Sequence, residues 1–199
     1  MTEAEWLDGR VRKMVGYARS NATMRQRRLL ACGCCRLHWS QLPDRLRQFI
    51  DQIERYADGE SGSSLVRAYR LYDAVKVPAI RDDLPPGLLP VLKSAQASNE
   101  DPPGASFPLW PDERLQVELL RDIFGNPFRP VAFDPNWRTS DVVAMCRGMY
   151  EMRDFAAMPI LADALQDAGC ENVDVLDHCR GAGPHVRGCW VVDLVLGKE

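Results

Sequence analysis

Leu29-Leu30-Ala31-Cys32-Gly33-Cys34-Cys35 is apolar at every position. A helix apolar on all its faces is buried on all sides. The stretch therefore reads as the central helix of the N-terminal half. Asn21 or Thr23 supplies a side-chain cap before it. Arg25-Gln26-Arg27-Arg28 gives it a basic start, and it runs to about Ser40.

The flanking sequence repeats the helical period. Trp6, Leu7, Val11, Met14, Val15 and Ala18 recur at three- and four-residue spacing and predict one helix over 3–19. Pro43 opens the next helix, Leu46, Phe49, Ile50, Ile53 and Tyr56 form its stripe, and Gly59 closes it. A turn at Glu60–Ser64 leads to a helix carrying Leu65, Val66, Tyr69, Tyr72 and Val75, limited by Pro78. A short helix is expected over 87–97.

Between Asn99 and Pro111 stand Pro102, Pro103, Gly104, Pro108 and Pro111, a composition that continues neither a helix nor a central strand. Beyond it, helices are expected over 112–124, from Thr139 or Ser140 to about Tyr150, from Pro159 to Ala168, over 173–180, and from Pro184 to Leu196. Phe128 to Trp137 reads as an extended segment packed on the core. No stretch alternates as a half-buried strand does. The expectation is an all-α bundle of roughly eight to ten helices in two packed halves. These are 1–98 and 112–199, joined by the proline-rich connection 99–111 into one integrated domain.

With 199 residues, 46% of them hydrophobic, the chain is long enough for a real core. A net charge of −3 gives no global pull toward nucleic acid or an anionic membrane. No apolar run reaches the length of a membrane span. The start, Met-Thr-Glu-Ala-Glu-Trp-Leu-Asp, is acidic where a secretory signal is basic and then apolar. Seven cysteines without framework spacing read as reduced thiols, which predicts a cytoplasmic protein.

The unusual chemistry collects between Leu176 and Trp190. Cys170, His178, Cys179, His185 and Cys189 fall within twenty residues, and zinc takes four such ligands. His185 and Cys189 share a face if their segment is helical. His178 and Cys179 diverge on a helix, so one of the two joins. The candidate metal set is Cys170, His178, His185 and Cys189, with zinc the sole cofactor indicated. Standard finger spacing is missing, and the competing reading makes these cysteines core residues.

Other candidates are weaker. Cys34 and Cys35 stand near His38, but so apolar a helix raises thiol pKa values and leaves them inert. Gly181-Ala182-Gly183 and Gly188 miss the dinucleotide-loop spacing, although Arg180, His185 and Arg187 beside a helix start can hold an anion. Arg25, Arg27 and Arg28 form a basic helix end; a solvated end is the commoner explanation, so nucleic acid is not favoured. Asp193, inside Val191-Val192-Asp193-Leu194-Val195-Leu196, calls for an arginine partner, with Arg187 or Arg180 as candidates.

Several segments resemble a known group: Glu3-Ala4-Glu5-Trp6-Leu7, the Cys32–Trp39 helix segment, Glu54–Gly59, Leu120–Val131 and Pro184–Trp190. Together they are similar to an expanded, uncharacterised family of paralogous proteins of planctomycete-type bacteria, along almost the whole chain. The resemblance implies a bacterial, intracellular protein and carries over no activity, cofactor or catalytic residue. The leading functional expectation is a non-enzymatic interaction or adaptor module with protein partners, its surface built from aromatics in Phe107–Trp110 or Phe128–Trp137. Two alternatives stand beside it: a zinc-stabilised module with a C-terminal Cys/His site, and a hydrolase or nucleic-acid-processing enzyme using His178 or His185.

Overall fold

The computed structural model describes residues 1–60, 84, 88–95 and 112–198. Its described elements are helical: α1 (Glu3–Leu7), α2 (Val11–Asn21), α3 (Met24–Arg36), α4 (Asp44–Ala57), α5 (Leu88–Ala95), α6 (Glu113–Phe124), α7 (Ser140–Met152), α8 (Met158–Asp167), α9 (Val173–Arg180) and α10 (Trp190–Leu196). Two 3-10 turns, Trp39–Gln41 and Pro135–Trp137, complete the set. The described residues contain no strand and no helix long and apolar enough to cross a membrane. The helix expected at 65–77, the proline-rich connection 99–111 and the aromatics Phe107 and Trp110 lie outside the described residues.

Local chemistry sets the helix ends. Thr23 caps α3 and accepts from the Gln26 N–H, while the Gln26 side chain accepts from the Thr23 N–H. This reciprocal cap satisfies two otherwise orphaned donors. Thr139 and Asn172 cap α7 and α9 by the same side-chain route. The helix expected over 3–19 is two helices. Gly9 takes φ +68 between α1 and α2, a conformation that ends a helix and suits glycine. The last helix begins at Trp190, six residues later than expected from Pro184.

α3 lies where its composition puts it. Arg28 through Cys35 are all buried, and the helix is walled by α4, α5 and α6. Leu29, Leu30, Phe49, Ile50, Ile53, Leu88, Leu92, Leu119 and Leu120 form this N-terminal core with Trp6 and Met14. Each such side chain contributes about 1.5–3 kcal/mol on burial. α6 follows the proline-rich stretch in sequence, yet Leu119, Leu120 and Ile123 belong to this core. A second core gathers Val142, Cys146, Met149, Met158, Leu161, Leu165, Cys170, Cys179, Val192 and Val195 from α7 to α10.

The loop 181–189 stitches the cores together. Val186 packs into the N-terminal core, and a Cβ on Gly33 would sit 3.0 Å from a Val186 methyl. The glycine in the apolar run of α3 therefore makes room for this loop. Gly188, at φ +94, passes so close to Leu29 and Ile123 that a Cβ would come within 2.9 Å of both. Trp190 then lies flat on Gly125 at the end of α6, where a Cβ would meet its ring at 3.0 Å.

Phe128, Phe133 and Trp137 are used internally. Phe128 packs on the N-terminal core; Phe133 packs on the second, edge to face with the buried Trp137 at 5.5 Å. The exposed partner surface expected at Phe128–Trp137 is therefore not present in that form.

Candidate metal centre

Four donor groups converge where α6, α9 and the 181–189 loop meet. Asp122 comes from α6, His178 from α9, His185 from the loop and Cys189 from the residue before α10. Their ligand atoms all lie within 4.8 Å of one another. His178 Nε2 is 3.2 Å from Cys189 Sγ and 3.2 Å from Asp122 Oδ1. His185 Nδ1 is 2.8 Å from the same Asp122 oxygen. The two imidazole centroids are 4.9 Å apart. Asp122 and Cys189 are fully enclosed, and the two histidines nearly so, with side-chain exposures of 16% for His178 and 8% for His185.

Without a cation, a His178 Nε2–H can be shared between the Asp122 oxygen and the Cys189 sulfur. Four such groups pointing at a common centre are also what a cation needs. Zinc bonds of about 2.0–2.3 Å in a tetrahedron give donor–donor edges of about 3.3–3.6 Å. The two His178 contacts at 3.2 Å lie near that range, the His185–Asp122 contact at 2.8 Å is shorter, and the four atoms together lie within 4.8 Å.

The surroundings orient each donor. Asp122 Oδ2 accepts the Val186 N–H at 2.9 Å, which leaves Oδ1 for the centre. His185 Nδ1 donates to Asp122 at 2.8 Å in the metal-free chain, and the Gly181 carbonyl 3.5 Å from Nε2 can take that ring's proton when Nδ1 ligates a cation. The Val192 N–H donates to the Cys189 sulfur. Burial alone raises the Asp122 carboxyl, but hydrogen bonds from His178 and His185 outweigh it and hold this group below its ordinary 3.8. Burial, then the charge of Asp122, pushes the Cys189 thiol well above 9.0. A bound cation reverses that repulsion and deprotonates the sulfur.

Three of the four expected ligands, His178, His185 and Cys189, come together. Cys170 does not: it is buried in the second core, and Asp122 completes the set. The expected helical register of His185 and Cys189 is also absent, because Gly183 and Gly188 take positive φ. Open loop geometry, not a shared helix face, brings them together. Asp122 carried a signal that spacing among cysteines and histidines overlooks. It sits among Leu119, Leu120 and Ile123, on the buried side of its helix.

The arginines expected to bind an anion or a partner are engaged internally. Arg25 binds Asp193 through two nitrogens, at 2.5 and 3.0 Å, and reaches Asp58 and the Tyr150 hydroxyl. Asp193 thus pairs with Arg25 and not with Arg187 or Arg180. Arg187 meets Asp58 at 3.1 Å and lies over the Tyr150 ring. Arg27 donates to the Arg19 carbonyl, Arg28 stacks on Tyr56, and Arg180 binds Asp163 and Gln166. Cys32, Cys34 and Cys35 are buried thiols, with burial pushing Cys34 up to about 12. Comparison with protein families, with curated proteins and with solved structures finds no match to this chain.

Proposed function

We propose that this chain is a metal-stapled helical module in which Asp122, His178, His185 and Cys189 hold one zinc ion. The observation that carries the reading is the convergence of one ligand atom from each of these four residues within 4.8 Å in an enclosed site. Two imidazoles, a thiolate and a carboxylate suit zinc's borderline softness better than they suit calcium or magnesium. With four protein ligands in an enclosed site, the ion is structural, since catalytic zinc keeps a position for water or substrate. Its ligands come from helices of both cores, so it ties the loop and α10 to α6.

That role agrees with an interaction or adaptor protein in a reducing cytoplasm; all seven cysteines are unpaired. The hydrolase reading is less well supported. His178 and His185 converge, but a nucleophile–base–carboxylate relay uses the two different nitrogens of one imidazole. Here the same His178 nitrogen meets both sulfur and carboxylate.

The test is elemental mass spectrometry on the purified, tag-free chain, followed by cobalt substitution. One zinc per chain, and a cobalt derivative with the visible absorption of a tetrahedral thiolate site, are expected. A metal-free chain that takes up neither ion overturns the proposal.

A further inference from the structure

A second feature lies on the other side of the metal loop. Between α7 and α10 opens a cavity of about 580 Å³, within the range of small-ligand sites. Val143, Val195 and Leu196 give it an apolar wall. Arg138, Arg147, Arg187 and Lys198 line it as well, against the exposed carboxylates of Glu60 and Glu151.

The charge imbalance continues underneath. Arg25, Arg36, Arg153, Arg187 and Lys198 share the four carboxylates of Asp51, Glu54, Asp58 and Asp193. Among the described residues, one positive charge of this network is left over. Arg187 and Lys198, the two cations of this lattice that line the cavity, lie over the same Tyr150 ring, at 4.4 and 4.8 Å. The Nε of Arg187 is buried and makes no hydrogen bond among the described residues. Arg138 is held at the rim by the Leu194 carbonyl, while Arg147 has no partner among the described residues. Surplus positive charge beside an apolar wall is costly to enclose unless an anion joins it.

We propose that this cavity binds a small amphipathic anion, a carboxylate or phosphate head on an apolar body. The head meets Arg147, Arg187 and Lys198, and the body lies on Val143, Val195 and Leu196. The site stands independently of the metal centre, although Arg187 sits between the proposed ligands His185 and Cys189.

Calorimetric titration of the full chain with octanoate, neutral octanamide and inorganic phosphate tests it. Octanoate is expected to bind once per chain, more weakly as salt rises. Octanamide and phosphate, each lacking half of the chemistry, are expected to bind roughly ten-fold more weakly. Arg147→Glu, at an exposed position outside the lattice, should weaken octanoate at least as much and leave thermal unfolding unchanged. The proposal is overturned if octanoate fails to bind at millimolar concentration, if octanamide binds equally well, or if Arg147→Glu binds like the wild type. Phosphate binding as tightly as octanoate overturns the apolar half of the assignment. Metal content measured on the same samples keeps the readings apart. One zinc without octanoate binding removes only the anion site, and octanoate binding without metal removes only the metal centre.

Discussion

Asp122→Asn separates a metal centre from a cluster held only by hydrogen bonds. The substitution keeps the side chain's size and an oxygen able to accept the Val186 N–H. It removes the charge and the anionic ligand. An ion bound only by the folded chain stabilises it by about 4 kcal/mol when free zinc is a thousand times Kd. At this chain length about 1 kcal/mol moves Tm by roughly 2–4 °C, so chelation should lower the wild-type Tm by about 8–16 °C. In the metal-free chain the hydrogen bonds to the charged Asp122 contribute about 1.5–3 kcal/mol each, and the one from the Val186 N–H persists with the ion bound. Both models therefore predict a destabilised variant. What differs is the response to metal. Scanning calorimetry with zinc, with chelator and with zinc restored should show the full shift in the wild type and less than about 3–6 °C in Asp122→Asn, the shift that a hundred-fold loss of affinity would leave. Zinc affinity in the variant should fall by more than the about 10–100-fold that outer-shell changes cost. A wild-type Tm that ignores chelation would refute the reasoning, because the four donors would then be stable without a cation.

The remaining predictions concern neighbouring features. Cys189→Ser should lose the metal, whereas Cys170→Ala should keep it and cost only the about 1 kcal/mol of a small cavity; metal analysis of both variants decides between them. Gly188→Ala should destabilise by about 1–3 kcal/mol and impair metal uptake, since a Cβ there meets Leu29 and Ile123 at 2.9 Å on a backbone with φ +94; denaturant unfolding and zinc content report both effects. Burial raises the Asp193 carboxyl above its ordinary 3.8 despite the hydrogen bond from Arg25. The native state therefore binds this proton more tightly than the unfolded chain, and the group's contribution to stability declines as pH rises from about 4 through its native value. Asp193→Asn should flatten that part of a stability–pH curve relative to the wild type. Burial pushes Cys146 and Cys179 up to about 12, so both should resist iodoacetamide at neutral pH and react on unfolding, as read by peptide mass mapping.

The helical class and the position of α3 were legible because they depend on local periodicity and on composition within one turn. Thr23, Thr139 and Asn172 cap their helices through bonds spanning three residues, and such bonds are written in the sequence. The break at Gly9 was less visible, since the apolar spacing of Trp6 to Ala18 runs through it and only the positive φ of one glycine interrupts the helix.

The site was legible in part. The density of Cys and His between 170 and 189 pointed to His178, His185 and Cys189. Spacing also suggested Cys170, but a sequence within one segment cannot report which other helix packs against it. Asp122, 56 residues before His178 in the sequence, joins because Gly33 and Gly188 let the 181–189 loop sink between α3 and α6. Likewise, Asp193 demanded a cation, but tertiary packing selected Arg25, 168 residues away. Sequence by itself determined which segments are helices and which polar residues need partners. Only the tertiary structure decided which partners those are, because burial and charge compensation act through space between elements whose separation along the chain carries no information.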